Sequence, residues 1–207
     1  MKVHTILPNL ILFENQFETM DLVPLFTELG ITETPKGPRL MKRYSKNNAE
    51  YWLGRKKYTT KKFGPIQLEM MSKIESYLEG FFKGYRDTWK DWFNVGITNI
   101  YPTGKTGFRP HSDYDRSLES PMLISTTSFG KPRPFTVIDR KERKAITFNF
   151  PARSTLIMGP EFQRRYLHEV PYLDNHKDYR VSVTFRRSNK FGEKKLKEIK
   201  HTQNKLF

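Results

Sequence analysis

Cysteine is absent from this 207-residue chain, and so is any long apolar run. Without cysteine there is neither a disulfide bond nor a thiolate metal ligand, which leaves histidine and carboxylate side chains for any metal. Such a composition is compatible with a reducing compartment. No stretch of about 18 apolar residues could span a membrane, and the N-terminus lacks a signal-peptide core. We therefore expect an intracellular protein, in the cytoplasm or nucleus, without a membrane partner.

Acidic residues are scarce compared with basic ones. The chain has 22 Asp+Glu against 37 Lys+Arg, a net charge of +15, and such a charge attracts polyanions such as nucleic acid. Between Lys36 and Lys62, ten basic residues accompany one acid, Glu50. Aromatic residues are interleaved with these cations: Tyr44, Tyr51, Trp52, Tyr58 and Phe63. Cations beside stacking rings are typical of a groove for unpaired nucleotides, and a solvated basic surface is the simpler alternative.

Hydrophobic periodicity predicts a mainly β protein of the α+β class, folded as one domain over residues 1–207 that we expect to be monomeric. An N-terminal extension, 1–92, contains four predicted segments in order: a strand at 5–14, a helix at 21–29, an irregular basic segment at 31–64 and a helix at 65–83. Eight short strands follow: 93–101, 109–113, 122–129, 135–139, 144–150, 154–158, 164–170 and 180–186. Such strands indicate a double-stranded β-helix, or jelly-roll, core over 93–187 with the N-terminal helices packed on it. Residues 188–207 form a basic tail.

Histidines are few, and two of them lie in H-x-D patterns, His111-Ser112-Asp113 and His176-Lys177-Asp178. With five His and 22 acids in 207 residues, about 0.5 such matches are expected by chance, so one match alone carries little weight. The first pattern follows the strand-like run 93–101. Residues i and i+2 of a strand point the same way with Cα atoms about 6.5–7 Å apart, so His111 and Asp113 can converge on one ion.

A third ligand must come from elsewhere, and His168 lies on a late strand. A jelly roll places several strands between an early and a late ligand; 57 residues separate His111 from His168, whereas eight separate His168 from His176. His176 also lies in a polar stretch typical of a turn, so its pattern is the poorer candidate. Two imidazoles and one carboxylate leave metal positions open, which suits a non-haem Fe(II) centre.

Two arginines, Arg180 and Arg186, flank a strand-like run near the end of the predicted core. An even spacing of six places both on one strand face, with Cα atoms roughly 20 Å apart at about 3.3 Å per residue. Guanidinium groups bind carboxylates in bidentate fashion, and two inward-leaning side chains could hold a small dicarboxylate. A basic surface strand is the alternative in a chain with 37 Lys+Arg.

In their order along the chain, these motifs resemble the AlkB family of Fe(II)- and 2-oxoglutarate-dependent dioxygenases. The resemblance covers roughly residues 93–187 and is carried by six runs: 93–101, 111–115, 124–130, 154–159, 166–171 and 180–186. It implies an iron site with three ligands: His111, Asp113 and His168. It also implies a 2-oxoglutarate site made of polar residues on two strands: Asn99, Tyr101, Arg180, Ser182 and Arg186.

The resemblance further implies a substrate and a reaction. The expected substrate is single-stranded DNA or RNA with N-alkylated bases such as 1-methyladenine or 3-methylcytosine, and the expected role is dealkylation repair. The methyl group leaves as formaldehyde while 2-oxoglutarate becomes succinate and CO2. Residues 36–64 take the place of the family's nucleotide-recognition lid, and the helix 65–83 supports it. Asp115 resembles the acidic group that reads the damaged base, and further substrate contacts are expected from Arg39, Tyr51 and Trp52.

Two other functions stay open at this point. A 2-oxoglutarate oxygenase could act on a protein or a small molecule, although the basic, aromatic segment 36–62 argues against this. A module that binds nucleic acid without turnover could keep the same barrel. Such a module would have no need of five residues that this chain retains: His111, Asp113, His168, Arg180 and Arg186.

Overall fold

The computed structural model of the protein describes residues 1–46, 51–53, 56–82, 92–113, 123–159 and 161–188. Within these ranges the chain forms an eight-stranded sheet, a four-stranded sheet, a separate two-stranded hairpin and three helices. None of the helices in these ranges is both long enough and apolar enough to cross a membrane. The mainly β architecture agrees with the jelly roll expected from the sequence.

The elements follow one another along the chain as β1 (Lys2–Leu7), β2 (Leu10–Glu14), α1 (Leu22–Glu28), β3 (Leu40–Ser45), β4 (Tyr51–Leu53), β5 (Lys56–Tyr58), β6 (Lys61–Lys62), α2 (Pro65–Phe81), β7 (Val95–Tyr101), β8 (Phe108–His111), β9 (Ile124–Gly130), β10 (Arg133–Asp139), β11 (Ala145–Phe150), β12 (Ser154–Met158), α3 (Phe162–Arg165), β13 (Tyr166–Val170) and β14 (Arg180–Arg186).

Two sheets enclose the interior of the protein. The larger sheet has the strand order β1-β2-β12-β9-β14-β7-β3-β6, and the smaller sheet has the order β11-β10-β13-β8. Buried side chains from both sheets meet in one hydrophobic cluster, with Leu12 and Tyr101 from the larger sheet and Phe135 and Tyr166 from the smaller one. A second cluster, on the other face of the larger sheet, packs against α1 and α2. The site described below therefore lies between the sheets, away from α1 and α2.

Strand β14 illustrates how sequence determines which side chains reach the interior. Its apolar residues Val181, Val183 and Phe185 lie in the cluster beneath the helices. The alternate residues line the space between the sheets: Arg180, Ser182, Thr184 and Arg186. Because successive strand side chains point to opposite faces, a shift of one residue would exchange the two sets and bury both arginines among apolar side chains. Both arginines consequently lie on the inner face, as their even spacing predicts.

Helix α2 covers the outer face of the larger sheet and is anchored at its start by α1. The Glu28 carboxylate accepts hydrogen bonds from the backbone amides of Ile66 (2.8 Å) and Gln67 (2.9 Å). These are amides that the first helical turn leaves without a partner. The buried apolar residues of α2 recur at helical spacing: Met70, Met71, Ile74 and Leu78. Burial of each such side chain contributes roughly 1.5–3 kcal/mol, so the helix is held mainly by this stripe.

Several boundaries differ from those that the sequence predicts. Residues 5–14 belong to a hairpin, β1–β2, because Asn9 turns the chain with a φ of 63°. The segment 31–64 is not irregular, since it contains four strands, and one of them, β3, pairs with β7 in the larger sheet. Helix α2 ends at Phe81, and β13 begins at Tyr166 because α3 occupies the preceding residues. The predicted tail beyond residue 188 lies outside the described residues.

Candidate metal centre

Two histidines lie side by side on neighbouring strands of the smaller sheet. His111 of β8 pairs with His168 of β13, and the two ring centroids are 4.3 Å apart. Asp113 follows the end of β8, and its Oδ1 lies 3.9 Å from His111 Nε2 while its Oδ2 lies 3.7 Å from His168 Nε2. One ion bonded to each atom at about 2.1 Å can bridge such separations. In the ranges listed above, this is the one group of three potential metal-ligating side chains whose ligand atoms lie within 4.8 Å of one another.

The protonation states of these side chains suit a cation. His111 Nδ1 lies 2.8 Å from the Arg109 carbonyl oxygen, and because a carbonyl only accepts, Nδ1 donates there while Nε2 is the nitrogen that faces Asp113. Burial lowers the pKa of His168 to about 4, so its imidazole is neutral at physiological pH. Burial alone would raise the pKa of Asp113, but the positive charge of Arg186 beside it holds that pKa below its usual value. Two imidazoles and one carboxylate form a ligand set that fits Fe(II).

Gln163 of α3 holds the segment that carries Asp113. Its side-chain Oε1 accepts a hydrogen bond from the Asp113 amide at 2.8 Å, and its backbone carbonyl accepts one from the Ser112 hydroxyl at 2.7 Å. Gln163 is buried, and its amide nitrogen donates to Met158 Sδ at 3.3 Å. Because β8 ends at His111, the sheet itself does not position Asp113. The carboxylate of the group is therefore positioned by a four-residue helix that no sequence pattern identifies.

Arg180 provides a buried cation at the other end of the interior. Its Nε donates to Ser128 Oγ at 2.8 Å, and its guanidinium carbon lies 5.3 Å from the ring centroid of Tyr101. Burial lowers the pKa of Arg180 to about 10, which leaves the side chain charged at neutral pH. Among the described residues, no carboxylate lies within ion-pair distance of Arg180. A buried charge without a counter-ion is costly, so this position suits an anionic ligand.

A cavity of about 240 Å³ connects the histidine pair with Arg180. Its lining consists of Met41, Arg43, Tyr51, Ile97, Asn99, Tyr101, Phe108, His111, Ser112, Asp113, Thr126, Phe135, Met158, His168, Val170, Arg180, Ser182, Thr184 and Arg186. The strand register places Arg180 beside Tyr101 and Ser182 beside Asn99. All five residues expected to bind 2-oxoglutarate thus line the same cavity as the three expected metal ligands.

The chain matches the model of the 2OG-Fe(II) oxygenase superfamily over residues 7–186. The protein belongs to this superfamily. Among curated proteins, none matches the chain. Among solved structures, the oxygenase is similar to one described as OsALKBH1, with a TM-score of 0.61 and 18% identity over 90% of this chain and 100% of that chain. At this identity the likeness concerns the fold, and it confirms the AlkB-like architecture expected from the sequence.

The oxygenase is therefore an Fe(II)- and 2-oxoglutarate-dependent dioxygenase, and both cofactors expected from the sequence are confirmed at the level of the superfamily. Arg186, the second arginine of its β14, has a different environment from Arg180. Its Nη2 lies 3.2 Å from Asp113 Oδ1, so its guanidinium belongs to the metal-binding end of the cavity. The two arginines thus line different parts of the same cavity, and the binding of 2-oxoglutarate by Arg186 stays a prediction.

The four residues expected to contact substrate have different positions in the oxygenase. Tyr51 is buried and lines the cavity. Arg39 reaches the wall of the expected 2-oxoglutarate site, where its Nη1 donates to Asn99 Oδ1 at 3.0 Å. Trp52 lies in β4, but its side chain is outside the described part of the structure, and Asp115 is outside the described residues altogether.

Two cavity residues of the oxygenase, Met41 and Arg43, are missed by sequence reasoning. They lie on β3, which pairs with β7 and presents both side chains to the interior. The run Leu40–Ser45 shows no apolar alternation, and its lysine and arginine make it look like part of a solvated basic segment. The strand could have been recognised only through its partner β7, which is distant in sequence.

Proposed function

We propose that this oxygenase removes N-alkyl groups, chiefly methyl groups, from the bases of single-stranded DNA or RNA. The observation that carries the proposal is that the basic, aromatic segment 36–62 supplies one wall of the cavity that contains the His-Asp-His group. From this segment, Met41, Arg43 and Tyr51 face the cavity. A ring and a cation at the entrance to an oxidising centre suit a base that is attached to phosphates.

Each part of the cavity has a role in this proposal. His111, Asp113 and His168 hold Fe(II), which supplies the redox chemistry that activates oxygen when it is bound. Arg180 binds the distal carboxylate of 2-oxoglutarate, and the polar side chains around it complete that subsite: Asn99, Tyr101 and Ser182. Arg186 keeps Asp113 ionised at the metal-binding end.

The reaction balances in two steps. One atom of O2 enters a C–H bond of the N-methyl group, and the other enters 2-oxoglutarate, which loses CO2 and becomes succinate. The N–C bond of the N-hydroxymethyl product then breaks and formaldehyde leaves. In a cationic base the bonding electron pair stays on the ring nitrogen and the hydroxyl proton passes to solvent, whereas in a neutral base such as 3-methyluracil the ring nitrogen gains a proton. The protein contributes orientation: Phe135, for example, stacks on the His168 ring with centroids 5.6 Å apart and fixes the plane of that ligand.

Recognition of the nucleotide falls to the N-terminal segment 36–64, acting as a lid, and to its neighbours. Tyr51 offers a ring on which the extruded base can stack, and the exposed lysines of β6, Lys61 and Lys62, lie where phosphates can reach them. By the resemblance, Asp115 and Trp52 contact the base as well. Arg39 acts on the cosubstrate wall through Asn99 instead.

A substrate panel at one salt concentration tests the proposal. Purified enzyme with Fe(II), ascorbate and 2-oxoglutarate is given single-stranded DNA, duplex DNA and RNA that carry 1-methyladenine, 3-methylcytosine or 3-methyluracil. We expect stoichiometric succinate and formaldehyde, with single strands favoured because the cost of unstacking is smallest there. Turnover confined to peptides or small molecules, with none on any methylated oligonucleotide, would exclude the proposal.

A further inference from the structure

Arg43 lines the cavity from strand β3. In the larger sheet, Arg43 pairs with Ile97, and Ile97 in turn pairs with Thr184 on β14. Neighbouring strands lie about 4.8 Å apart, so the Arg43 backbone is roughly 10 Å from that of Thr184. Arg180 and Arg186, which serve cosubstrate and metal in the proposed function, are on β14. Arg43 therefore faces the cavity from a strand that carries none of the expected metal ligands or cosubstrate-binding residues.

Two tyrosine rings hold the Arg43 guanidinium in place. Its carbon lies 4.0 Å from the ring centroid of Tyr58 and 5.8 Å from that of Tyr51, and the two rings meet edge to face at 6.3 Å. No carboxylate of the described chain lies within ion-pair distance of Arg43, and its buried Nε has no hydrogen-bond partner there. Stacking satisfies the faces of the guanidinium but not its N–H groups. The cavity wall thus carries a fixed cation with unused donors.

The charge around this position is one-sided. Among the described residues that line the cavity, Asp113 is the one carboxylate, and it already pairs with Arg186. Methylated bases fall into two classes: 1-methyladenine and 3-methylcytosine carry a positive charge at neutral pH, whereas 3-methyluracil and 3-methylthymine are neutral. A fixed cation repels the first class and donates to the carbonyl oxygens that flank the N-methyl group in the second.

We propose that Arg43 makes this oxygenase select neutral N-methylated bases, which have a carbonyl oxygen on both sides of the methylated nitrogen, in preference to cationic ones. The inference rests on the proposed function and refines the lesion class expected from family resemblance. Arg43 acts as a specificity-determining residue, and Tyr58 positions its guanidinium.

The test compares two RNA oligonucleotides that differ in one base, 3-methyluracil or 3-methylcytosine. Both bases carry the methyl group on the same ring nitrogen and share the carbonyl oxygen at C2, so their kcat/KM ratio isolates the charge and the exchange of an amino group for a carbonyl oxygen at C4. We expect the wild-type enzyme to favour 3-methyluracil by about tenfold or more, because like charges in a desolvated site cost at least that much. Arg43→Met should reduce the ratio about tenfold, chiefly by improving 3-methylcytosine, whereas Arg43→Lys, which keeps the charge, should preserve most of it.

Binding measurements and a matched variant separate this role from a general loss of fold or charge. Fluorescence anisotropy with Mn(II) in place of iron should show the same change in the ratio of Kd values without turnover. Arg140→Met removes one exposed charge from the β10–β11 turn and should leave the ratio unaltered. The thermal unfolding midpoint and the Mn(II) affinity of Arg43→Met, measured beside those of Arg140→Met, report whether the variant keeps its fold and its metal site.

The outcomes distinguish the two proposals. Turnover of both oligonucleotides with a ratio that Arg43→Met leaves unchanged would overturn the role of Arg43 alone. A wild-type preference for 3-methylcytosine that disappears in Asp115→Asn would assign base reading to that carboxylate instead. Absence of binding and turnover with either oligonucleotide would overturn the proposed function and the role of Arg43 together.

Discussion

The two arginines of β14 differ in what each has as a partner, although they share a strand face. Arg180 is buried, bonded to the Ser128 hydroxyl, and has no acidic partner within the described ranges. Arg186 is equally buried but pairs with Asp113 at 3.2 Å. Within the described residues, the second cation has an acidic counter-ion and the first has none. Residue type and periodicity do not distinguish two such arginines; the acidic partner does.

Removal of the carboxylate at the Arg186 end should have the largest effect. Asp113→Ala removes one metal ligand and leaves the buried guanidinium of Arg186 without its counter-ion. We expect succinate release to become undetectable and the affinity for Mn(II), measured by calorimetry, to fall by more than the ~10–100-fold typical of changes outside the ligand shell. His176→Ala, which alters the other H-x-D pattern, should bind Mn(II) as the wild type does. Normal Mn(II) binding by Asp113→Ala, or its loss in His176→Ala, would contradict the choice of ligands.

Substitution at the other end should affect the cosubstrate and leave the metal alone. Arg180→Met removes the cation proposed to hold the distal carboxylate, and loss of one partner of a buried charge pair costs about 2–5 kcal/mol. The KM for 2-oxoglutarate should therefore rise about 100-fold, while the Mn(II) affinity stays unchanged. The reverse pattern, with Mn(II) binding weakened and the KM preserved, would show that the two ends have been assigned the wrong way round.

In the protein without metal and 2-oxoglutarate, substitutions of the two arginines should change the free energy of unfolding in different directions. Arg186→Met breaks a buried pair and leaves Asp113 uncompensated, so urea unfolding should show a loss of roughly 2–3 kcal/mol, less than the full cost of a completely buried pair. Arg180→Met removes a buried cation whose desolvation costs free energy that no acidic partner in the described residues offsets. The unfolding free energy of this variant should therefore be equal to or above that of the wild type. Equal destabilisation by both variants would argue against the idea that an acidic partner distinguishes Arg186 from Arg180.

The smallest effect should come from substitution of Gln163, whose side-chain oxygen accepts a hydrogen bond from the backbone amide of Asp113 and carries no charge. Gln163→Leu leaves the Asp113 amide without its acceptor, and we expect the Mn(II) affinity to fall about tenfold, within the usual range for residues that orient metal ligands. Glu161→Gln, an exposed change beside the same helix, serves as the control and should have no effect. If Gln163→Leu binds Mn(II) normally, the pair with Arg186 is sufficient to position the carboxylate.

The parts of this site that sequence predicts are those in which periodicity and order along the chain coincide. The alternation of β14 places both arginines, and the 57 residues between His111 and His168 allow the strands between them that a jelly roll requires. Arg43 escapes because β3 belongs to the sheet only through its distant partner β7, without an apolar alternation of its own. Gln163 escapes because four helical residues are too few to leave a periodic pattern.

The order of the larger sheet also bears on how the protein behaves at high concentration. Its outermost strands are β1 and β6, and unpaired backbone at such edges can recruit a strand from another chain. On one side, β6 has two residues, both exposed lysines. On the other, β1 begins with Lys2, and the side chain of His4 contacts the carboxylate of Glu14 on β2. Charge at both borders discourages edge-to-edge aggregation of this broad sheet.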